Sequence, residues 1–292
     1  MKEQQFDVLA IGHIAKDRNI FGEKSEITAG GAVYYGGITL LGLGLRVAIM
    51  TRLKREDFWI LDELKNAGAT VYAVAASQTS GIENFHPDPN SDKRICHLLG
   101  FAGPFQVIDI PPVIARLYYI GTILPGEEDL RFIEEIASRG PIALDPQGFM
   151  RKEVGGELIS NGWPQAEKVI PLVHYLKVDD REATALTGES DRYKAAEILH
   201  TWGAKEIVLT HQGGVLIFTG DELAEAPFQP RSLIGRTGRG DTCFSSYFGR
   251  RLLGDSPEEA ARFAAALTTL KLEQPGPFRG DLKEVYSLME KL

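Results

Sequence analysis

Cysteine is nearly absent: the chain of 292 residues has two, Cys96 and Cys243, far apart and in no metal-type spacing. A reducing, cytoplasmic setting is therefore expected. Long apolar runs are missing as well, and none approaches the length needed to span a bilayer. The opening residues, Met1 to Gln5, are polar and run straight into a strand, so no signal peptide is expected. Positive charge is in deficit: 32 Lys and Arg against 40 Asp and Glu leave a net charge of −8. That balance argues against nucleic acid or an anionic membrane as partner, so an anionic ligand must be held by local positive features. No Gly-x-Gly-x-x-Gly follows the first strand, where a dinucleotide-dependent oxidoreductase would need it. Internal repeats, low-complexity tracts and an interdomain linker are absent too, which leaves one domain over residues 1–292.

What is present reads as an α/β fold. Hydrophobic residues make up 43% and charged residues 25%, a balance that supports a packed core. Phe6 to Ile11 is a short apolar run closed by Gly12, the pattern of a buried strand, and Asp17 lies just beyond its carboxyl end. Taken alone, Asp17 is either a ligand-binding group or a loop carboxylate. Gly30-Gly31 opens a helical stretch of small residues, Ala32 to Leu41, closed by Gly44. A strand at Arg46 to Met50, a helix at Asp57 to Ala67 and a strand at Thr70 to Val74 follow. This β-α-β-α-β order predicts a mostly parallel sheet with helices on both faces.

Two β-like runs, Gly81 to His86 and Lys93 to Leu99, interrupt that rhythm around a turn at Pro87 to Asp92. With about 13–29 they are expected to form a small β lid. His86 and His97 are read as polar strand positions, because no third metal ligand accompanies them. The alternation then resumes, with strands at Leu117 to Ile120, Pro141 to Asp145, Tyr175 to Val178 and Glu206 to Thr210, and helices at Glu127 to Ser138 and Asp191 to Trp202. Asp179 to Glu182 crowds acids at a helix start, which capping and the helix dipole alone explain. A late hairpin, Val215 to Thr219 with Glu222 to Ala226, delivers the chain to Gly235-Arg236-Thr237-Gly238-Arg239-Gly240-Asp241-Thr242. Helices are expected over Thr242 to Leu253 and, capped by Ser256, over Pro257 to Leu272, with a short one at the end.

Asp241 could be an ordinary N-cap, for which Asp is well suited. The flanking glycines and arginines fit a more specific arrangement: a helix N-terminus whose N–H groups bind a phosphoryl group while Asp241 accepts a proton from an attacking hydroxyl.

Over essentially its whole length the chain resembles the ribokinase-like, or PfkB, carbohydrate kinases. Thr237 to Thr242 is similar to that family's second signature, Thr-Gly-Ala-Gly-Asp-Thr. Gly30-Gly31 through Leu43-Gly44 is similar to the first, Gly12 to Asp17 to the first substrate loop, and Asp179-x-x-Glu182 to the Asn-x-x-Glu element. The resemblance implies an ATP-dependent transfer of the γ-phosphate to a hydroxyl of a small sugar or polyol. Asp241 would be the base, and the N–H groups of Gly238, Arg239 and Gly240 the anion hole. Asp17, Gly30, Gly31 and Tyr35 would contact substrate. The nucleotide would meet Thr210, Gly213, Thr237 and Ala265, and Glu182 with Asp179 would order Mg2+ through water. The lid would exclude water and could pair two subunits into a homodimer.

Several positions depart from the family pattern. Tyr35 replaces the usual Asn. Gly235 stands where relatives carry an Asp that often belongs to a monovalent-cation site, which leaves dependence on potassium open. Arg236 and Arg239 are unusual, and one of them is expected to place fixed positive charge near the phosphates. A nucleoside kinase, with Tyr34, Tyr35 and Phe85 forming a slot for a base, is the rival within the class. A non-catalytic ligand-binding protein on a kinase fold is the rival outside it.

Overall fold

The structure is a computed structural model that describes residues 4–87 and 95–292. The described residues form strands β1 (Gln4–Ile11), β2 (Ala15–Phe21), β3 (Lys24–Gly30), β4 (Val47–Lys54), β5 (Thr70–Ala76), β6 (Gly81–His86), β7 (Ile95–Gly100), β8 (Val113–Gly121), β9 (Ile142–Asp145), β10 (Arg151–Val154), β11 (Glu157–Ser160), β12 (Val173–Asp179), β13 (Glu206–His211), β14 (Gly214–Phe218) and β15 (Leu223–Pro227). Helices are α1 (Ala32–Gly42), α2 (Asp62–Asn66), α3 (Leu130–Arg139), α4 (Ala166–Val169), α5 (Asp180–Thr187), α6 (Arg192–Thr201), α7 (Arg239–Leu253), α8 (Pro257–Leu272) and α9 (Leu282–Met289).

Nine strands make one sheet in the order β15-β14-β13-β12-β9-β8-β1-β4-β5. It is parallel from β13 to β5, and β14 and β15 continue it antiparallel. A parallel sheet is apolar on both faces because helices cover both. In β1 the alternation of side chains sends Val8 and Ala10 into a core shared with α1, α7 and α8, and Leu9 and Ile11 into a core shared with α3 and α6. The carboxyl ends of β1, β9, β12 and β13 therefore open on one edge, and α5 starts there directly after β12. The α/β architecture expected from the sequence is present.

A second sheet of six strands, ordered β10-β11-β7-β6-β2-β3, stands beside the first. It contains the two segments assigned to a lid and adds a hairpin, β10–β11, that joins through Glu157 opposite His97. The register sorts its side chains into two sets. Asp17, Asn19, Thr28, Ile82, Asn84, Cys96 and Leu158 share one face, and Asp17, Asn19, Ile82, Asn84, Cys96 and Leu158 are buried. Arg18, Ile27, Phe85, Ile95, Leu99, Val154 and Ile159 share the other, which is exposed. Of the turn placed at Pro87 to Asp92, all but Pro87 lies outside the described residues.

Several boundaries differ from expectation: β8 runs Val113–Gly121, and the helix expected from Glu127 starts at Leu130, because Asp129 caps it. The helix expected from Asp57 to Ala67 is a tighter 3-10 stretch, Arg55–Leu61, followed by the single turn of α2. This buries the adjacent Ile60 and Leu61 together with Leu64, while Trp59 stays exposed. Helix α7 starts at Arg239 rather than Thr242, because Gly238 (φ 79°) takes the N-cap position. Its core face carries Phe244 and Phe248, whose rings pack 5.7 and 5.2 Å from that of Tyr119. Phe248 is fully buried. Phe248→Ala is expected to destabilise the protein by about 3–5 kcal/mol, read from the urea midpoint, because its packing on Tyr119, Tyr175 and Phe244 is lost.

Candidate active site

Gly238 has a left-handed backbone that a residue with a Cβ adopts only under strain. A Cβ there would also lie 2.2 Å from the Tyr35 ring, so the ring of α1 and the turn before α7 are in direct contact. With Gly238 as N-cap, α7 opens on a positive helix end, and the Arg239 N–H there donates to the Arg236 carbonyl at 3.2 Å. Asp241 is the third residue of α7, not its cap. Its charge acts on Tyr35, Tyr119, Asp145, Lys177 and Lys271, which places it at the centre of the site.

Toward the second sheet, Asp17 accepts a hydrogen bond from the Ile82 N–H through Oδ1 at 2.8 Å. Its Oδ2 presses on Gly30, where a Cβ would stand only 2.1 Å away. Gly31 (φ 98°) caps α1 and lies against the His13 carbonyl. Tyr35, buried one turn into α1, feels both Asp17 and Asp241, and burial with those two charges raises its hydroxyl pKa. Asp17, Gly30, Gly31, Tyr35 and Asp241 thus converge. Next to them on the second sheet, Asn84 donates to Asn19 Oδ1 (3.2 Å), and Asn19 donates to Thr28 Oγ1 (2.9 Å).

On the other side, Lys177 of β12 is buried with its ammonium 3.1 Å from Asp145 and 3.5 Å from Glu182. Its side chain approaches Gly240, since a Cβ there would lie 3.2 Å from Lys177 Cε and 4.0 Å from Thr210 Oγ1. Burial would lower the Lys177 pKa, but four carboxylates (Asp145, Glu182, Asp179, Asp241) outweigh it and hold the ammonium charged. Asp145 and Glu182 are instead drawn toward their neutral forms. Burial pushes both up, because one ammonium cannot offset two buried carboxylates. Asp179 forms a capping box with Glu182: Asp179 Oδ1 accepts from the N–H groups of Arg181 and Glu182, and Glu182 Oε2 accepts from that of Asp179. Among the described residues no cluster of three or more His, Cys, Asp or Glu side chains is placed to hold a metal.

Thr210 is buried at the end of β13, beside Asp179 in the register. Gly213 lies in the exposed β13–β14 turn, and Thr237 in the half-buried loop before α7. Ala265 is corrected by the structure: it is fully buried, as are its neighbours Ala264 and Ala266, and presents no surface to a nucleotide. Helix α8 is enclosed on all sides there, so small residues pack rather than bind.

A family model, described as pfkB family carbohydrate kinase, matches residues 157–282. A ribokinase-family pyrophosphate-dependent kinase, solved with a pyrophosphate analog and myo-inositol, is 34% identical, with 96% of this chain and 99% of that one covered and a TM-score of 0.88. The chain belongs to the ribokinase family. It is a kinase, a phosphotransferase to an alcohol group. A cytidine kinase from Thermococcus kodakarensis is 28% identical over 271 residues, 88% of this chain and 92% of that protein. The fold is also shared with Arabidopsis thaliana ribokinase complexed with ribose and ATP, at 18% identity, a TM-score of 0.77, and coverage of 98% and 99%.

Within this ribokinase-family site, sequence reasoning missed Lys177, Asp145, Asn19 and Asn84. Asp145 ends a strand next to β12, which is a legible signal. Lys177 inside an otherwise apolar strand was another, since lysine is buried only with partners. Replacing Lys177 by Met is expected to cost about 3 kcal/mol in urea denaturation. The remaining stability should also fall as pH rises. Asp145 and Glu182 are acids with raised folded pKa values, so their protonated forms favour the fold. Their contribution is full below the unfolded carboxylate value near 4 and is lost toward the raised folded values.

Proposed function

We propose that this kinase phosphorylates a hydroxyl of a small sugar, polyol or cyclitol held between the second sheet and α1. Asp17 and the Gly31 backbone bind acceptor hydroxyls, and Asn19 and Asn84 extend that polar face. Tyr35 supplies a ring wall where the family commonly has an amide. Asp241 takes the proton of the attacking hydroxyl, and the N–H groups of Gly238, Arg239 and Gly240 stabilise charge on the transferring phosphoryl group. In-line transfer demands chiefly positioning and charge stabilisation, which this arrangement supplies. The close approach of Gly238 to the Tyr35 ring and of Gly30 to Asp17, which draws the starts of α1 and α7 together, carries the reading.

ATP with Mg2+ is the donor expected from the family pattern, the metal neutralising phosphate charge. Glu182 and Asp179 already serve the capping box and Lys177, so they would hold it through water. Inorganic pyrophosphate is a second donor reading. The buried Lys177 ammonium beside Gly240 favours it, as does Arg239 at the head of α7, whose charge reaches His211. A 34% identical relative is pyrophosphate-dependent. Such a donor offers no base to bind, so fixed cations must do more of the holding.

The nucleoside reading loses support from the rings it needs. Phe85 lies on the outer face of the second sheet, and the Tyr34 hydroxyl is bound to Glu63. Product release should be measured with Mg-ATP and with pyrophosphate against polyols (myo-inositol included), sugars and nucleosides. We expect acceptor-dependent release with a polyol or sugar, and a loss of about 10²–10⁴-fold in kcat in Asp241→Asn. Turnover confined to nucleosides, or unaltered in the variant, would overturn the reading. Donor binding without turnover on any alcohol would favour a non-catalytic role.

The outer face of the second sheet supports a further part of this proposal, a homodimer through the lid. Ile27 (58% exposed), Val154 (50%) and Leu99 (44%) leave an apolar face uncovered, flanked by Lys16, Arg18 and Glu83. Opposite charges beside one apolar patch suit an isologous pairing with a second copy. Sedimentation should give a dimer that Leu99→Asp converts to monomer, whereas a monomeric wild-type chain would refute the pairing. Among the described residues no helix is long and apolar enough to cross a membrane.

A further inference from the structure

Of the passages that carry the chain between the nine-stranded sheet and the second sheet, three meet at one buried side chain. His13 lies between β1 and β2, Ser80 between β5 and β6, and Gly103 between β7 and β8. His13 and Ser80 are fully buried, and the rings of Phe101 and Phe105 flank the imidazole at 5.6 and 5.0 Å. In such apolar company a polar ring needs partners for both nitrogens.

It has them, and their chemistry fixes the proton. Nε2 lies 3.0 Å from the Gly103 carbonyl, which can only accept, so Nε2 carries the hydrogen. Ser80 Oγ accepts from the Ala102 N–H at 3.0 Å and gives its own proton to Nδ1 at 2.8 Å. Burial lowers the pKa of the ring and so favours this neutral form, against the pull of the Glu127 carboxylate. The backbone of His13 is held as well. Its N–H donates to Glu127 Oε2 at 3.2 Å, while Glu127 Oε1 accepts from the N–H groups of Ile123 and Leu124, just beyond β8, at 2.8 and 2.6 Å. The Lys16 N–H donates to the Ser80 carbonyl at 2.8 Å, which ties the start of β2 to the passage into β6. With both nitrogens spent, the ring has no proton to exchange with a ligand.

Asp17 stands four residues beyond His13. The His13 carbonyl lies so close to Gly31 that a Cβ there would collide with it. We propose that His13 is the pin of the junction between the two sheets, fixing the angle at which Asp17 and Gly31 face Asp241. It is a positioning residue: it touches no reactant and acts through the strands it ties. Its bearing on acceptor binding rests on the function proposed above, whereas the tie between the sheets does not.

The test compares wild type with His13→Ala, His13→Gln and Ser80→Ala. Steady-state kinetics read kcat and both KM values, and amide hydrogen exchange on the protein without substrates reads the junction. In His13→Ala, exchange in β2 and β6 should quicken about tenfold or more, with β9 and β12 unchanged. The KM for the acceptor should rise about tenfold or more, the size of a lost buried hydrogen bond, while that for the donor changes little. His13→Gln keeps an N–H toward Gly103 and should recover part of both effects. Ser80→Ala removes the hydroxyl that Nδ1 and the Ala102 N–H share, and should show the same pattern in weaker form. Exchange quickened equally in both sheets, or a loss confined to kcat, overturns the proposal. If His13→Ala does not fold, Ser80→Ala decides: wild-type exchange and KM values there overturn it too. Exchange quickened only in the second sheet, in variants of a protein that turns over no acceptor, would keep the pin and sink the proposed function instead.

Discussion

The contact between Gly238 and the Tyr35 ring is the constraint on which the site depends. The ring occupies the volume a Cβ would need, and the left-handed backbone at Gly238 turns the chain sharply into α7. Both conditions exclude other residues at that position. Together they decide where the first turn of α7 points its N–H groups and where Asp241 stands. Because Tyr35 belongs to α1, whose cap is Gly31, the start of α1 and the start of α7 are aligned by one packed ring. The aromatic cluster of Tyr119, Phe244 and Phe248 holds the far side of α7 with equal firmness.

Charge is arranged around this turn with little slack. Asp241, Asp145, Glu182 and Asp179 bring four carboxylates into the surroundings of Lys177. Only one ammonium is buried among them there, and Lys271 approaches from the opposite end of the loop. Two of those acids are pushed toward their neutral forms, which is the usual response when burial outruns pairing. An incoming polyphosphate adds more negative charge. It can be accommodated only if the helix end, the arginines of the loop and any accompanying metal supply the balance. The chain's overall negative charge makes this local concentration of cations the more informative.

Much of this was legible in the sequence. The apolar runs of β1, β4, β12 and β13 read directly as buried strands, because a parallel sheet leaves no polar face to confuse the pattern. The glycine signatures marked the close approaches at Gly30, Gly31 and Gly238, since these leave a mark in composition. The β10–β11 hairpin did not: Arg151–Val154 and Glu157–Ser160 are short and polar, and only pairing with β7 makes them strands. Ala265 misled for a related reason, since a small residue signals close packing without saying whether against ligand or core. Lys177 left a trace, a lysine within an apolar strand, but neither it nor Lys271 could be placed from the sequence, because Asp145 and Gly235, which they meet, lie far away along the chain.

The register of the second sheet carries the argument one step further. Side chains alternate along β2, β3 and most of β6, so a shift of one residue would exchange Asp17, Asn19 and Asn84 for Arg18, Ile27 and Phe85. The buried amide pair between Asn19 and Asn84 opposes such a slip, because exposing it would gain nothing while burying Arg18 would leave a charge unpaired. Pinning the register in this way means that acceptor recognition and the apolar outer face are not independent features. Pairing two copies through the outer face would hold the inner face in place over Tyr35 and Asp241, so association of subunits and closure over the acceptor draw on the same six strands.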